Sequence, residues 1–248
     1  IVVEPDGDIL FSGNFTNVDG APRDGIARVS PENALDLFSP TTNNSIFSLA
    51  LQANGDILMG GNFGTVNGQP RPGIARMDTG GTLDSFFFPN VIGNYVQSIA
   101  VQSDGKILIG GTFIFVNGES RPRIARLDAA TGLPDSFRPQ PGGEVKAVAI
   151  QPDGKILIGG TFGFVGAATR PLVARLSQDT AALQSLSVST TAISWVRGGA
   201  AGQFNYATYE LSTDGGSTWA FLGSAPPGLA GSKPNDRSNE LAPQSASY

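Results

Sequence analysis

Four stretches of this chain lie over one another without a gap: residues 1–15 (IVVEPDGDILFSGNF), 49–63 (LALQANGDILMGGNF), 99–113 (IAVQSDGKILIGGTF) and 148–162 (VAIQPDGKILIGGTF). Asp6, Asn54, Asp104 and Asp153 occupy equivalent places, separated by 48, 50 and 49 residues. Arg28, Arg76, Arg126 and Arg175 repeat at the same three steps. Two landmarks more than twenty residues apart keep one period, so the chain is a tandem array with a unit of about fifty residues. Such a unit must bury its apolar surface against its neighbours, which constrains the fold more than any single residue does.

Within a unit the pattern reads as a meander of short strands. The first apolar run, such as Ala147 to Ile150, ends at Asp-Gly or Asn-Gly, a pair that tolerates the positive φ of a tight hairpin turn. The next run, Lys155 to Phe162, is apolar on both faces, as in a strand covered on both sides. The pairs Gly60-Gly61, Gly110-Gly111 and Gly159-Gly160 suit close approach between neighbouring sheets. A second turn follows at Asp19-Gly20, Asn67-Gly68 and Asn117-Gly118, replaced by Gly166-Ala167 in the fourth unit. A third strand (Ile124 to Leu127) and a short fourth (Leu83 to Phe86, Asp135 to Phe137) complete the unit. Three or four short antiparallel strands in this length make one propeller blade. The blades divide at about 1–40, 41–89, 90–139 and 140–177.

The composite Q-x-D-G-K-I-L-I-G-G-x-F, then V-N-G-x-x-R-x-x-I-A-R-L, then L-D-x-S-F-x-P resembles the delta-60 repeat of bacterial β-propellers over residues 1 to about 177. The resemblance implies an all-β propeller in a secreted or cell-surface bacterial protein. It implies no catalytic residues, because the family carries no established activity.

Residues 178–248 break the pattern. Ser185 to Val196 and Phe204 to Leu211 read as strands, and Ser212 to Trp219 (STDGGSTW) resembles the Asp-box hairpin of other propellers. That resemblance implies that Asp214 satisfies turn amides while Trp219 packs beneath. Residues 178–223 are about one unit long and read as a fifth, divergent blade that closes the ring; a small β-sandwich is the other reading of the segment, and dimerisation the other route to closure. Residues 224–248 form a polar tail rich in Pro and Gly. The chain opens at Ile1, without Met and mid-pattern, which reads as a mature product or an excised fragment.

Composition removes much chemistry. With no Cys and no His, a thiol nucleophile, a Ser-His-Asp triad and a His-based zinc or iron site cannot be built from this chain. The net charge of −5, with no basic block, lacks a nucleic-acid footprint. No apolar run approaches the roughly 18 residues of a membrane span. Carboxylates or an oxygen-ligated calcium remain. The repeated Asp6, Asp104 and Asp153, helped by Asp8 and Glu4, are the calcium candidates, but a full loop of alternating carboxylates is missing and turn geometry explains them better.

Each unit carries two arginines five apart: Arg23 and Arg28, Arg71 and Arg76, Arg121 and Arg126, Arg170 and Arg175. They could ring a pore for anions. The structural reading is favoured, in which Arg28 pairs with Asp36, Arg76 with Asp84 and Arg126 with Asp135, 8, 8 and 9 residues on. Arg175 has Gln184 at the Asp position and would turn to Asp179. Phe15, Phe63, Phe113 and Phe162 read as filler between blades, whereas Phe86-Phe87-Phe88 cannot all face inward and one is free for a ligand or another chain. The functional expectation is a non-enzymatic binding or scaffold module with a glycan or protein ligand and no cofactor. The rival is a glycoside, phosphoester or ester hydrolase at the central channel, which would need paired carboxylates or a calcium-activated water; the carboxylates that vary between repeats, Asp24, Glu119 and Glu144, are few and unpaired in sequence.

Overall fold

Each run that is apolar on both faces becomes the middle strand of a three-stranded antiparallel sheet. The computed structural model describes residues 1–177, 182–188, 193–203, 207–212, 217–225 and 238–240. In blade 2, Ile46–Leu51 pairs with Ile57–Gly61, which pairs with Ile74–Met77. Blade 3 repeats this with Val96–Val101, Ile107–Gly111 and Ile124–Leu127, and blade 4 with Val145–Ile150, Ile156–Gly160 and Val173–Leu176. Blade 1 has Val2–Val3, Ile9–Ser12 and Ile26–Val29. The chain is an all-β array of four propeller blades. The fourth strand of the meander shrinks to single bridges, Leu35 to Val29, Leu83 to Met77 and Pro134 to Leu127, because the arginines described below hold that segment by its side chain instead.

The core lies between blades. Three apolar clusters each straddle one junction: Leu10, Ile26 and Phe38 of blade 1 meet Ile57, Met59 and Met77 of blade 2. Leu58, Ile74 and Phe87 of blade 2 meet Val96, Ile99 and Ile109 of blade 3. Leu108 and Ile124 of blade 3 meet Val145, Val148 and Ile158 of blade 4. Alternation within one strand serves two junctions, since Ile57 and Met59 face back while Leu58 faces forward. Every residue of Ile57–Gly61 and Ile107–Gly111 is therefore buried. In blade 4, with no blade following among the described residues, the forward-facing Val173 is 63% exposed where Ile74 and Ile124 are 1% exposed.

The paired glycines divide the work. A Cβ on Gly60 would sit 2.8 Å from Val96 of the next blade, and one on Gly110 would sit 2.7 Å from Val145. On the second glycine of each pair it would meet the blade's own backbone, 2.2, 2.1 and 1.9 Å from the carbonyls of Ser45, Tyr95 and Glu144. That close approach coincides with a register shift in the inner strand, between Ile46 and Ser48 and at the same point in blades 3 and 4. The shift turns Ser48 toward blade 3, where its Oγ accepts the Ile99 amide at 3.0 Å, and Ser98 does the same for Val148.

The two turns of a unit differ. At Asp19-Gly20, Asn67-Gly68 and Asn117-Gly118 both residues have positive φ, the two-residue hairpin geometry. At the first turn only the glycine does: the Gly7 amide donates to Glu4, the Glu4 amide to Asp8, and the turn is a four-residue one closed by a glycine bulge. Its Asp or Asn accepts the amide two residues on, from Asp8, Asp56, Lys106 and Lys155, which is why an Asx residue stands there.

Glycine substitution separates the two faces of the array. Gly110→Ala is expected to destabilise by about 1–3 kcal/mol through overpacking. Gly159→Ala, whose Cβ would find nothing nearer than 3.9 Å among the described residues, should be neutral or stabilising by up to about 1 kcal/mol. Urea unfolding of both variants measures the contrast; equal losses would mean that blade spacing is not what the first glycine serves.

Candidate functional site

The repeated arginines are consumed by the frame. Arg76, 9% exposed in its side chain, reaches Asp84 at 2.6 Å, lies over the Phe87 ring at 4.5 Å, donates to Gln52 of its own inner turn and donates to the Ala129 and Ala130 carbonyls of blade 3. Arg28 does likewise with Asp36 (2.5 Å), Phe38, Glu4 and the Thr79 carbonyl of blade 2. Arg126, 2% exposed in its side chain, pairs with Asp135 at 2.6 Å beneath Phe137. Burial alone would raise the carboxyls of Asp36 and Asp84, but hydrogen bonds from the arginines and from following amides outweigh it and hold both below the ordinary value. The first arginine of each pair holds the same residue by its backbone: Arg23, Arg71 and Arg121 donate to the carbonyls of Asp36, Asp84 and Asp135.

The fourth unit departs. Arg175 and Arg170 are exposed and form no ion pair among the described residues. Gln184 belongs to a separate sheet, in which Ala182–Val188, Ile193–Gly199 and Ser238–Glu240 pair, and it donates to the Pro152 carbonyl. Asp179 and Asp214 lie outside the described residues. Trp219 is 61% exposed, and the turn residues 213–216 of the Asp-box stretch lie outside the described residues. Residues 199–203 cross the turn ends of the inner strands of blades 2, 3 and 4. The Ser103 and Asp104 amides donate to the carbonyls of Ala201 and Gly199, the Gln203 amide to Val101, the Gln203 side chain to Leu51, and Gly202 lies against Ile150.

The opposite end of the array carries the residues that break the repeat. Here each blade has a small hairpin whose Val18, Val66, Val116 or Val165 turns inward and whose preceding residue turns outward: Asn17, Thr65, Phe115 and Phe164. Phe115 and Phe164 are 40% and 52% exposed on adjacent blades, and Ile92 and Ile114 beside Phe115 are also exposed. The Tyr95 hydroxyl bridges blades 3 and 4 by donating to Glu144 at 3.0 Å; that hydrogen bond raises the tyrosine pKa. Between blades 1 and 2 a polar cleft of about 230 Å³ collects Asp24, Thr42, Asn43 and Asn44. The three candidate carboxylates do not converge: Asp24 accepts the Thr42 amide, Glu119 pairs with Arg121 and Glu144 serves Tyr95. Among the described residues no three Asp or Glu gather at metal-binding spacing. Of the Phe86 run, Phe87 is buried, Phe88 lies under Arg71 and Phe86 is 88% exposed. Sequence reasoning passed over Phe115 and Phe164; comparing the residue before the repeated valine in each unit would have found them.

Blades that stack through glycine faces, with Arg28 and Arg76 reaching across the first two junctions, define a β-propeller protein. The chain belongs to the family described as domain of unknown function (DUF5122) beta-propeller, whose model matches residues 4–37, 52–87, 102–137 and 151–179, more than half of the chain. No curated protein matches it.

Two predictions test the clamp. Arg126→Ala should cost about 3–5 kcal/mol by breaking a buried pair, and Arg175→Ala no more than about 0.5 kcal/mol; equal losses in chemical denaturation would dissolve the distinction between them. The second concerns Glu4, which stands where the other blades carry Gln52, Gln102 and Gln151. Burial raises its pKa above 4.5, with Arg28 only partly offsetting it. A raised folded pKa means the folded state binds the proton more tightly, so stability falls as pH rises through that interval and stays reduced at neutral pH. Glu4→Gln cannot ionise, and Asp8 and Asp36 still surround Arg28. The variant should melt above the parent at pH 7, with the advantage fading toward pH 4; a lower melting temperature at pH 7 would show the ion pair outweighing burial.

Proposed function

We propose that the chain is a non-catalytic binding and scaffold module of a secreted or cell-surface bacterial protein, and that it presents the hairpin end of its blades to a glycan or protein ligand. The observation that carries this is the change at one outward hairpin position from Asn17 and Thr65 to Phe115 and Phe164. Residues held constant are occupied in joining blades, so a ligand is served by what varies. Exposed aromatic rings, at the end of the array that also holds the Tyr95–Glu144 hydrogen bond, offer an apolar face that suits a sugar ring or an apolar side chain of a protein. The opposite end has residues 199–203 drawn across it, which favours the hairpin end as the open one. The extracellular setting rests on the resemblance to delta-60 repeats of secreted and surface proteins.

A glycan array and an esterase, phosphoesterase and glycosidase panel, run with and without chelator, test this reading. The expected result is selective binding without turnover, weakened about ten-fold or more in the Phe115→Ala/Phe164→Ala variant at unchanged melting temperature. Turnover that tracks the protein, or ligand binding indifferent to both phenylalanines, would overturn it.

A further inference from the structure

In blades 1, 2 and 3 the two arginines grip one short extended segment of the chain: Leu35 to Phe38, Leu83 to Phe87 and Pro134 to Phe137. Its Asp amide donates to the carbonyl of the second arginine (3.0, 2.9 and 3.0 Å). Its carboxylate pairs with that arginine's guanidinium. Its carbonyl accepts from the first arginine. Its Phe ring lies against the second guanidinium at 4.9, 4.5 and 5.2 Å. Four contacts thus read the order Asp, then Phe two or three residues on.

Blade 4 keeps the receptor and lacks that segment among the described residues. Arg170 and Arg175 stand where Arg71 and Arg76 stand in blade 2, Arg170 just before and Arg175 within an outer strand, Val173–Leu176, that is the edge of its sheet. After it, the next described strand begins at Ala182, lies against Gly154 and pairs into another sheet. In the corresponding place is a cleft of about 430 Å³, lined by Val165, Arg170, Arg175 and Leu176 of blade 4 and by Phe137 and Arg138 of blade 3. This is the size of an ordinary ligand site. Arg138 adds a third guanidinium that blades 1 and 2 do not have at Ser39 and Phe88.

We propose that this cleft is a docking site for an extended acidic–aromatic segment of a partner protein, with an Asp followed two or three residues later by Phe. The segment lies antiparallel along Val173–Leu176 as the missing outer strand, its carboxylate on Arg175 with Arg138 near by, its backbone carbonyl on Arg170 and its ring against the guanidinium of Arg175. The mode is strand addition to a sheet edge, with side-chain pockets giving the specificity. The cleft abuts the small hairpin of blade 4 through Val165, next to the outward-turning Phe164, and neither proposal depends on the other.

The probe is a labelled, end-capped peptide with the sequence of residues 33–40 (NALDLFSP), titrated into the full chain by fluorescence anisotropy. Saturable one-to-one binding is expected, weakening with salt. Peptides with Asp replaced by Asn, or Phe replaced by Ala, should each bind about ten-fold more weakly or worse, as should the parent peptide with Arg175→Glu protein. The melting temperature of that variant, altered at an exposed position, should not change. Absence of saturable binding at millimolar peptide, or equal binding by the Asn peptide, or binding unchanged in Arg175→Glu, would overturn the proposal. So would sedimentation as a dimer that Arg175→Glu splits, since the cleft would then be filled by a second copy of this chain.

Discussion

The guanidinium of Arg76 is neutralised by Asp84, stacked on Phe87, hydrogen-bonded to the inner turn of its own blade and hydrogen-bonded to the loop carbonyls of the next. A charge buried this deeply is tolerable only when its donors are satisfied, and here the satisfaction is shared between two blades. The clamp therefore ties the rim of one sheet to the rim of its neighbour, while Gly60 lets the faces meet and Ser48 joins the inner edges. The apolar clusters between blades fill the space these three contacts define. A non-directional core alone would not set the angle between sheets; the arginine, whose donors point in a fixed fork, constrains it.

The same dependence explains why the ends of the array differ from its middle. Blade 1 has its clamp forward to Thr79, and blade 4 has arginines with no described segment to hold. Val173 is exposed and Gly159 has room for a side chain because no described blade follows to occupy that space. Chemistry identical in sequence acquires a different role through its neighbours alone: Arg126 and Arg175 occur in the near-identical strands IARL and VARL, one 2% exposed in its side chain and the other open to solvent.

Much of this was readable from residues. The fifty-residue period marked the blades, the Gly-Gly pairs the close approach, and the spacing from Arg76 to Asp84 names two residues that lie 2.6 Å apart. The failures have physical causes. The Asp-Gly at the first turn looks like a two-residue hairpin turn, but its hydrogen bonds make a four-residue turn with a bulge, a distinction carried by backbone angles and not by residue type. The fourth strand was over-read because an apolar-acidic-apolar order suits a strand, whereas the segment is held by side-chain contacts across one bridge. The carbonyl bonds from Arg76 to Ala129 and Ala130 leave no trace in sequence, since any residue supplies a carbonyl.

Residues 198–203, Gly-Gly-Ala-Ala-Gly-Gln, show how a run with no strand pattern earns a defined position. Ala200 and Ala201 are fully buried, and a Cβ on Gly202 would come within 3.2 Å of the Ile150 carbonyl, so only side chains this small let the backbone reach the turn ends. The backbone groups then replace solvent for Ser103, Asp104 and Val101. Desolvation there raises the Asp104 carboxyl, partly offset by the Lys106 amide and side chain, where the equivalent Asp153, exposed, is held low by Lys155. One strip of small residues thus makes the two ends of the array chemically unlike: one crossed by the chain's own backbone at the blade 3 turn, the other lined with variable, exposed side chains. A symmetric repeat gives its blades no intrinsic difference at this end, and the strip supplies one.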